Sequence, residues 1–225
     1  MNVRKMFRRE KIIDSLKSVG ALRLKVSHSS LLYFSLLFII LFLAFMVRIL
    51  PIRWGYHLSE FDPHYQYKLA KYMVENGLFG PNSWVEWHDT MSWYPWGRYI
   101  AMSYPGLPAT AAFFYSILNA LGIRIVLTSS LNPLSSDPLY NFCILFPVVM
   151  GTLTCLVMYF VGKDIGGKEM GLLSALFLAL NGSYIGRTAL GFFDDETVGI
   201  FGILLLIFFF LRSIEPERSI RNNAI

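Results

Sequence analysis

Four stretches of this chain run apolar without a charge, at residues 31–47, 139–161, 170–185 and 197–211. They hold 17, 23, 16 and 15 residues. A helix needs roughly 17–25 apolar residues to cross a hydrocarbon core, so the first two qualify as they stand. The last two qualify by drawing in Lys168 and Arg212, whose long stems can snorkel. The first run reaches Leu50 if Arg48 is accepted inside it. A fifth apolar stretch, 104–122, contains Pro105, Gly106, Pro108, Ser116 and Asn119. Its prolines would break a helix near the start, and it is expected to lie against the spans or along the interface. Asp62-Pro63 reads as an N-cap followed by proline at the first helical position, opening a helix that Asn76-Gly77 stops. The expected fold is an all-α polytopic membrane protein. It has a leader at 1–30, spans at 31–50, 139–162, 170–186 and 197–212, and a large helical loop at 51–138. Short loops at 163–169 and 187–196 and a tail at 213–225 complete it.

Composition agrees with a membrane protein: 55% of residues are hydrophobic and 16% charged, too few charges for an ordinary soluble domain. Charge placement sets the expected orientation. Arg4, Lys5, Arg8, Arg9, Lys11, Lys17, Arg23 and Lys25 precede the first span, which keeps the N-terminus cytoplasmic. If 104–122 does not cross, Lys163, Lys168, Arg212, Arg218 and Arg221 fall on that same side, bringing 13 of the 20 basic residues there. The loops at 51–138 and 187–196 then both face outward. The first run starts too late and is too long for a cleaved signal, so it reads as a retained anchor. Glu10 and Asp14 argue against an organelle transit peptide. The net charge of +5 comes chiefly from the leader and suits anionic headgroups, not nucleic acid. Cys143 and Cys155 both fall in the second span, about 18 Å apart along a helix, and form no disulfide with each other.

The candidate chemistry lies in two acidic clusters at the edges of these runs, Glu60-Phe61-Asp62-Pro63 and Asp194-Asp195-Glu196. Carboxylates at a membrane edge are costly to desolvate and call for a cation or a partner. Asp194 and Glu196 are hard oxygen donors one residue apart, of the type Mg²⁺ and Mn²⁺ prefer. Arg187, seven residues upstream, has the planar guanidinium that pairs with phosphate oxygens. The blander readings are helix capping for Asp62, Asp194 or Glu196, snorkelling for Arg187, and an exposed or capping position for Asp195. His88 beside Asp89 suggests an acid–base pair, but adjacent residues rarely face one another. His57 and His64 read as structural or interfacial. Asn181-Gly182-Ser183 is formally a glycosylation sequon, at a span end too close to the bilayer for modification. The outer loop holds all five tryptophans, Trp54, Trp84, Trp87, Trp93 and Trp96, which reads as fold and interface more than as a sugar platform.

An ordered set of motifs carries a resemblance. Glu60-Phe61-Asp62-Pro63 with Tyr67 comes first, then Tyr72-x-x-Glu75-Asn76-Gly77 and Trp93-Tyr94-Pro95-x-Gly97-Arg98. Tyr104-Pro105-Gly106-Leu107 follows, and Gly182-x-Tyr184-x-x-Arg187-x-x-x-Gly191-x-Phe193-Asp194-x-Glu196 closes the series. From about residue 30 to residue 212 the chain resembles the N-terminal portion of the oligosaccharyltransferase catalytic subunit, most of all the archaeal single-subunit enzymes. The resemblance implies a partial transmembrane domain of the GT-C type. It implies that Asp62, Asp194 and Glu196 bind Mg²⁺ or Mn²⁺ and serve catalysis, and that Arg187 contacts the phosphate of a lipid-linked oligosaccharide. Glu60, Trp93, Tyr94 and Arg98 would support them from behind. The reaction implied is transfer of a glycan from dolichyl phosphate or diphosphate to the asparagine of an Asn-x-Ser/Thr sequon in an acceptor polypeptide. The chain departs from the family pattern at His64, where tryptophan is common, and at Gln66, where asparagine is frequent. Later spans and the C-terminal Trp-Trp-Asp-type motif of the same enzyme are missing, so the chain alone is expected to be inactive. An archaeal cell membrane is expected over an endoplasmic reticulum membrane. Two other readings stay open: a related glycosyltransferase using polyprenyl-phosphate sugars, and a non-catalytic membrane scaffold that binds lipid or partner subunits.

Overall fold

The computed structural model describes residues 28–126 and 133–214. The basic cluster Arg4 to Lys25 and the tail residues Arg218 and Arg221 lie outside them. The chain divides into two compact units, Met1–Leu36 and Leu37–Ile225. The described part of the first is helical from His28. The second holds everything described below.

Six α-helices occur among the described residues. Helix α1 spans His28–Ile49 and passes into a 3-10 turn at Leu50–Trp54. Helix α2 spans Phe61–Asn76, α3 Gly106–Ala120, α4 Pro138–Leu180, α5 Gly182–Thr188 and α6 Glu196–Ser213. Between α2 and α3 a small antiparallel ladder joins β1 (His88–Asp89) to β2 (Arg98–Tyr99), in register His88 to Tyr99. Each strand is two residues long, too short for alternation to reveal it in the sequence. Three helices, α1 with its following turn, α4 and α6, are long and apolar enough to cross a membrane. The 15-residue α3 is not among them. Its prolines are accommodated at the start, with Pro105 at the N-cap and Pro108 in the first turn, where amide donors have no helical partner anyway.

Helix α4 is two limbs. Gly166 and Gly167 leave helical geometry, Gly167 at φ +86°. A Cβ placed on Gly162 would lie 3.0 Å from the Cα of Gly171. In a straight helix those two positions, nine residues apart, would stand about 13.5 Å apart. The chain therefore folds back at the glycine pair, and Gly162 meets Gly171 because small residues let helix backbones approach in a membrane. The loop expected at 163–169 is thus reduced to two non-helical residues. The run expected at 170–186 is broken at Asn181, whose side chain accepts a 2.9 Å hydrogen bond from the Tyr184 amide and caps α5.

Helix α2 is anchored to the start of α4. Asp137 caps α4 by accepting from the Leu139 amide at 2.8 Å, and also accepts from Tyr67 Oη at 2.6 Å and Lys71 Nζ at 3.3 Å. Tyr67 meets Tyr140 edge to face, with ring centroids 5.3 Å apart. Leu58, Leu107, Ala111, Ile144 and Phe193 close the core around them. A second anchor is the buried Asp89, paired with Lys68 of α2 and bonded by Ser92 and the Met91 amide. Burial alone would raise the Asp89 carboxyl, yet these bonds hold it below its ordinary value. Asp137 is held low in the same way, burial being outweighed by Tyr67, the Leu139 amide and Lys71.

A carboxyl with a depressed folded pKa stabilises the fold above its unfolded value, about 3.9 for Asp, and that stabilisation disappears as pH falls through the folded value. Asp89→Asn should therefore lower Tm at pH 7, with the gap to wild type closing as pH falls below the ordinary carboxylate range. Thermal melts of the detergent-solubilised protein check this, and a gap independent of pH would show that the Asp89 charge does not stabilise the fold.

Candidate functional site

The site is assembled by main-chain bonds between distant segments. After α5 the chain makes a tight turn, the Phe192 amide donating to the Ala189 carbonyl at 3.0 Å, with Leu190, Phe192 and Phe193 buried. The Leu190 amide donates to the Arg48 carbonyl at 2.9 Å and the Gly191 amide to the Ile144 carbonyl at 3.0 Å. The Gly191 carbonyl accepts from the Ser59 amide at 3.0 Å. Next to Ser59, the Leu58 amide donates to Tyr140 Oη at 3.1 Å. Segment 190–193, which leads into Asp194, is thereby joined to segment 57–59, which leads into Asp62.

The chain turns sharply at Glu60, whose φ of 63° and ψ of −177° form a combination that glycine alone adopts readily. Helix α2 begins directly afterwards at Phe61, with Glu60 at the N-cap position and no side-chain capping bond. This corrects the expectation that Asp62 caps the helix with Pro63 at its first position. Asp62 lies inside the first turn and Pro63 is the third helical residue, a place where its missing amide costs nothing. Asp62 is exposed and Gln66, one turn further along the same face, is buried.

Asp194 and Glu196 stand with Arg187. Its Nη1 lies 3.5 Å from Glu196 Oε1 and 3.9 Å from Asp194 Oδ2. Arg187 keeps 53% of its side chain exposed, Glu196 38% and Asp194 14%. Burial is the main reason the Asp194 carboxyl is raised above its ordinary value. The Asp195 amide works against this, the neighbouring Glu196 adds to it, and Arg187 offsets part. Asp195 occupies the N-cap position of α6 without a capping bond and is half-buried. It is raised by burial, then by Asp194 and Glu196, is lowered by a hydrogen bond from Gln66, and feels the like charge of Asp62. Asp195 takes the N-cap position that the sequence suggests but makes no capping bond, and it is half-buried instead of exposed. Asp195 also lines a cleft of about 370 Å³ with Tyr104, Gly106 and Val198, which brings the Tyr104-Pro105-Gly106 motif to the acidic cluster.

Trp93, Tyr94 and Arg98 line a different, shallow cavity with Trp96 and Gly97. The Arg98 guanidinium lies 4.6 Å over the Trp93 ring, and Trp93 meets Tyr65 of α2 edge-on at 5.5 Å. Their contact with the acidic region runs through Tyr65, three residues beyond Asp62 on α2. His88 stacks on Tyr99 at 4.4 Å while Asp89 pairs with Lys68, so the two adjacent residues do not act together. Cys143 and Cys155 are buried free thiols.

Asp194 and Glu196 offer carboxylate oxygens beside the Arg187 guanidinium, and Asp195 next to them feels the charge of Asp62. The donor chemistry fits a hard divalent cation. Among the described residues, no three of His, Cys, Asp and Glu stand close enough to form a coordination group, and Arg187 takes up the space beside Asp194 and Glu196. Two participants escaped the sequence reading. Gln66 shows in the sequence only as a departure from the family's frequent asparagine, one helical turn from Asp62. Arg48 was visible as the lone charge inside the first apolar run.

The family described as "Oligosaccharyl transferase STT3, N-terminal" matches residues 29–224. The STT3B subunit of the dolichyl-diphosphooligosaccharide–protein glycosyltransferase of Arabidopsis thaliana is 32% identical over 200 residues, covering 88% of this chain and 25% of that protein. The chain thus spans about a quarter of the length of the curated relatives it matches. Among solved structures, the apo oligosaccharyltransferase of Archaeoglobus fulgidus superposes with a TM-score of 0.68 at 20% identity, over 88% of this chain and 22% of that one. The same protein in complex with an inhibitory peptide and a dolichol-phosphate gives 0.64 at 22% identity, over 86% and 21%. Its complex with Zn and sulfate gives 0.65 at 22%, over 83% and 22%. These structural likenesses are of fold.

Proposed function

The chain belongs to the oligosaccharyl transferase STT3 family, and from that membership we propose that it is the N-terminal, site-bearing part of a membrane enzyme that moves a glycan from a lipid-linked donor to protein. The observation that carries this reading is the junction of two outer loops through Ser59 and Gly191, which joins the segment leading into Asp62 to the segment leading into Asp194, where Asp194 and Glu196 stand beside Arg187. The dolichol-phosphate and peptide bound by the archaeal relative support a polyprenyl phosphate or diphosphate donor and a polypeptide acceptor. The acceptor is taken to be an Asn-x-Ser/Thr sequon.

Asp62, Asp194 and Glu196 would hold Mg²⁺ or Mn²⁺, which when bound stabilises negative charge developing on the departing phosphate. Arg187 would turn from Asp194 and Glu196 to the donor phosphate, where its planar fork accepts two oxygens. That exchange leaves two carboxylates without their cationic partner, at the place where a divalent ion would replace it. The carboxylates also offer acceptors for the amide hydrogens of the target asparagine and so can hold it in line. Glu60, Trp93, Tyr94 and Arg98 would brace α2, Trp93 through its edge contact with Tyr65. In the membrane the proposed arrangement has the N-terminus cytoplasmic and both acidic loops external. Its placement in an archaeal cell membrane rests on the sequence reading, and the matched relatives come from both plants and an archaeon.

The test is transfer of glycan by the full-length gene product in membranes to a fluorescent Asn-x-Thr peptide. Chelation with EDTA should abolish transfer and Mn²⁺ or Mg²⁺ should restore it, whereas Asn→Gln in the peptide should prevent it under all conditions. Transfer unaffected by the chelator would overturn the metal assignment, and absence of transfer with donor and metal supplied would overturn the activity.

A further inference from the structure

Arg48 is fully buried, at 0% exposure, and the carboxylate chemistry does not use it. It lies in α1 within an apolar run, where a charge is costly and calls for a function. Its Nε donates to Thr188 Oγ1 at 2.8 Å, and its Nη1 donates to the carbonyls of Ala44 at 2.9 Å and Ala179 at 3.3 Å. Its guanidinium carbon lies 5.1 Å from the Tyr184 ring centroid. Its own carbonyl accepts from the Leu190 amide at 2.9 Å. Nη2 is buried with no hydrogen-bond partner among the described residues. Space for the group is made by Gly151, where a Cβ would fall 2.7 Å from Arg48 Nε and 2.9 Å from Thr188 Cβ.

These contacts converge on two helix ends. Ala179 is in the last turn of α4 and Thr188 is the last residue of α5, and carbonyls at a helix C-terminus favour a cation. A seven-residue helix such as α5 cannot hold its shape alone. Arg48 fixes it at Tyr184 and Thr188 and fixes the chain again at Leu190. Arg187 stands between those points, its side chain half-exposed and turned toward Asp194 and Glu196. A leucine or methionine at position 48 would fill much of the volume without burying a charge, but it could not bond both helix ends.

We propose that Arg48 is a positioning residue for Arg187, holding α5 in the orientation that presents the Arg187 guanidinium to the phosphate of the lipid-linked donor. The inference rests on the donor-phosphate role given to Arg187 above. It is tested in the full-length gene product with Arg48→Met, Arg48→Lys and Thr188→Val, varying donor lipid and acceptor peptide separately. Arg48→Met should raise donor KM about tenfold or more while acceptor KM stays within about twofold. Thr188→Val should raise donor KM in the same direction by about threefold, and the double variant should add little to Arg48→Met, since both remove one contact. Arg48→Lys should recover part of the loss by keeping one cationic donor at the helix ends. Amide hydrogen exchange over residues 184–190 should quicken in Arg48→Met.

Unchanged donor KM in folded Arg48→Met and Thr188→Val would overturn the proposal, as would an equal rise for donor and acceptor. Should Arg48→Met fail to fold, Thr188→Val decides. A wild type that moves no glycan defeats the underlying reading and the proposal with it. That result is distinct from an active wild type indifferent to position 48.

Discussion

Asp194→Asn in the full-length gene product should cut glycan transfer about a hundredfold or more, equivalent to about 3 kcal/mol of transition-state stabilisation, while leaving thermal stability unchanged or higher. The two effects have one origin. Asp194 is the least exposed of the carboxylates paired with Arg187, at 14%, and Asp195 and Glu196 follow it directly. Like charges so placed repel, and one guanidinium 3.5–3.9 Å away compensates only part of the group. Asparagine keeps the size and the acceptor that receives the 2.9 Å bond from the Asp195 amide, and removes one of the repelling charges. If Asp194 served only to end the loop and start α6, Asn would do so equally well, because the two residues rank together as caps, and transfer would be unaffected. Asp62→Asn should behave alike, with a smaller gain in stability because Asp62 is exposed. Initial rates with saturating Mn²⁺, set beside melting curves of the same preparations, separate the readings. Rates within about fivefold of wild type would return Asp194 to a capping role.

The four apolar runs fall in helices, the third interrupted at Asn181, because the length of an uncharged run is a local property of the sequence. The stop at Asn76-Gly77 and the start of α3 at its prolines were legible for the same reason. What escaped depended on contacts between distant segments. The polar positions Lys163, Asp164, Lys168 and Glu169 read as a loop, yet the chain stays helical up to Gly166 and resumes after Gly167. It can do so because Gly162 and Gly171 let the limbs touch. The adjacency of Arg187, Asp194 and Glu196 could be read from a ten-residue segment. That Gln66 and Asp62 of α2 act on the Asp195 carboxyl could not, since it depends on how distant segments meet. Arg48 reads as a tolerated charge at a span end, whereas its donors find helix C-termini that only the fold-back of α4 and the break at Asn181 create.

Gly191→Ala should disrupt the protein more than any other single-methyl addition to the site. Gly191 has φ +82°, a region that costs an L-residue roughly 1–3 kcal/mol. A Cβ there would collide with the His57 carbonyl oxygen and fall 3.3 Å from the His57 carbonyl carbon. These atoms are main chain and cannot swing aside, so the segments must part and the Ser59–Gly191 bond must lengthen or break. Overpacking of this kind costs a further 1–3 kcal/mol or so. The expected loss is about 2–6 kcal/mol of stability, with transfer falling by about two orders of magnitude because α2, and Asp62 with it, is no longer held against the loop of Asp194. Gly202→Ala supplies the control: it lies in α6 where a Cβ meets nothing within 4 Å, and it should be neutral or slightly stabilising. Melting temperature and transfer rate of both variants check the claim. A Gly191→Ala protein as stable and active as Gly202→Ala would mean that the two acidic loops reach each other by some route other than this backbone junction.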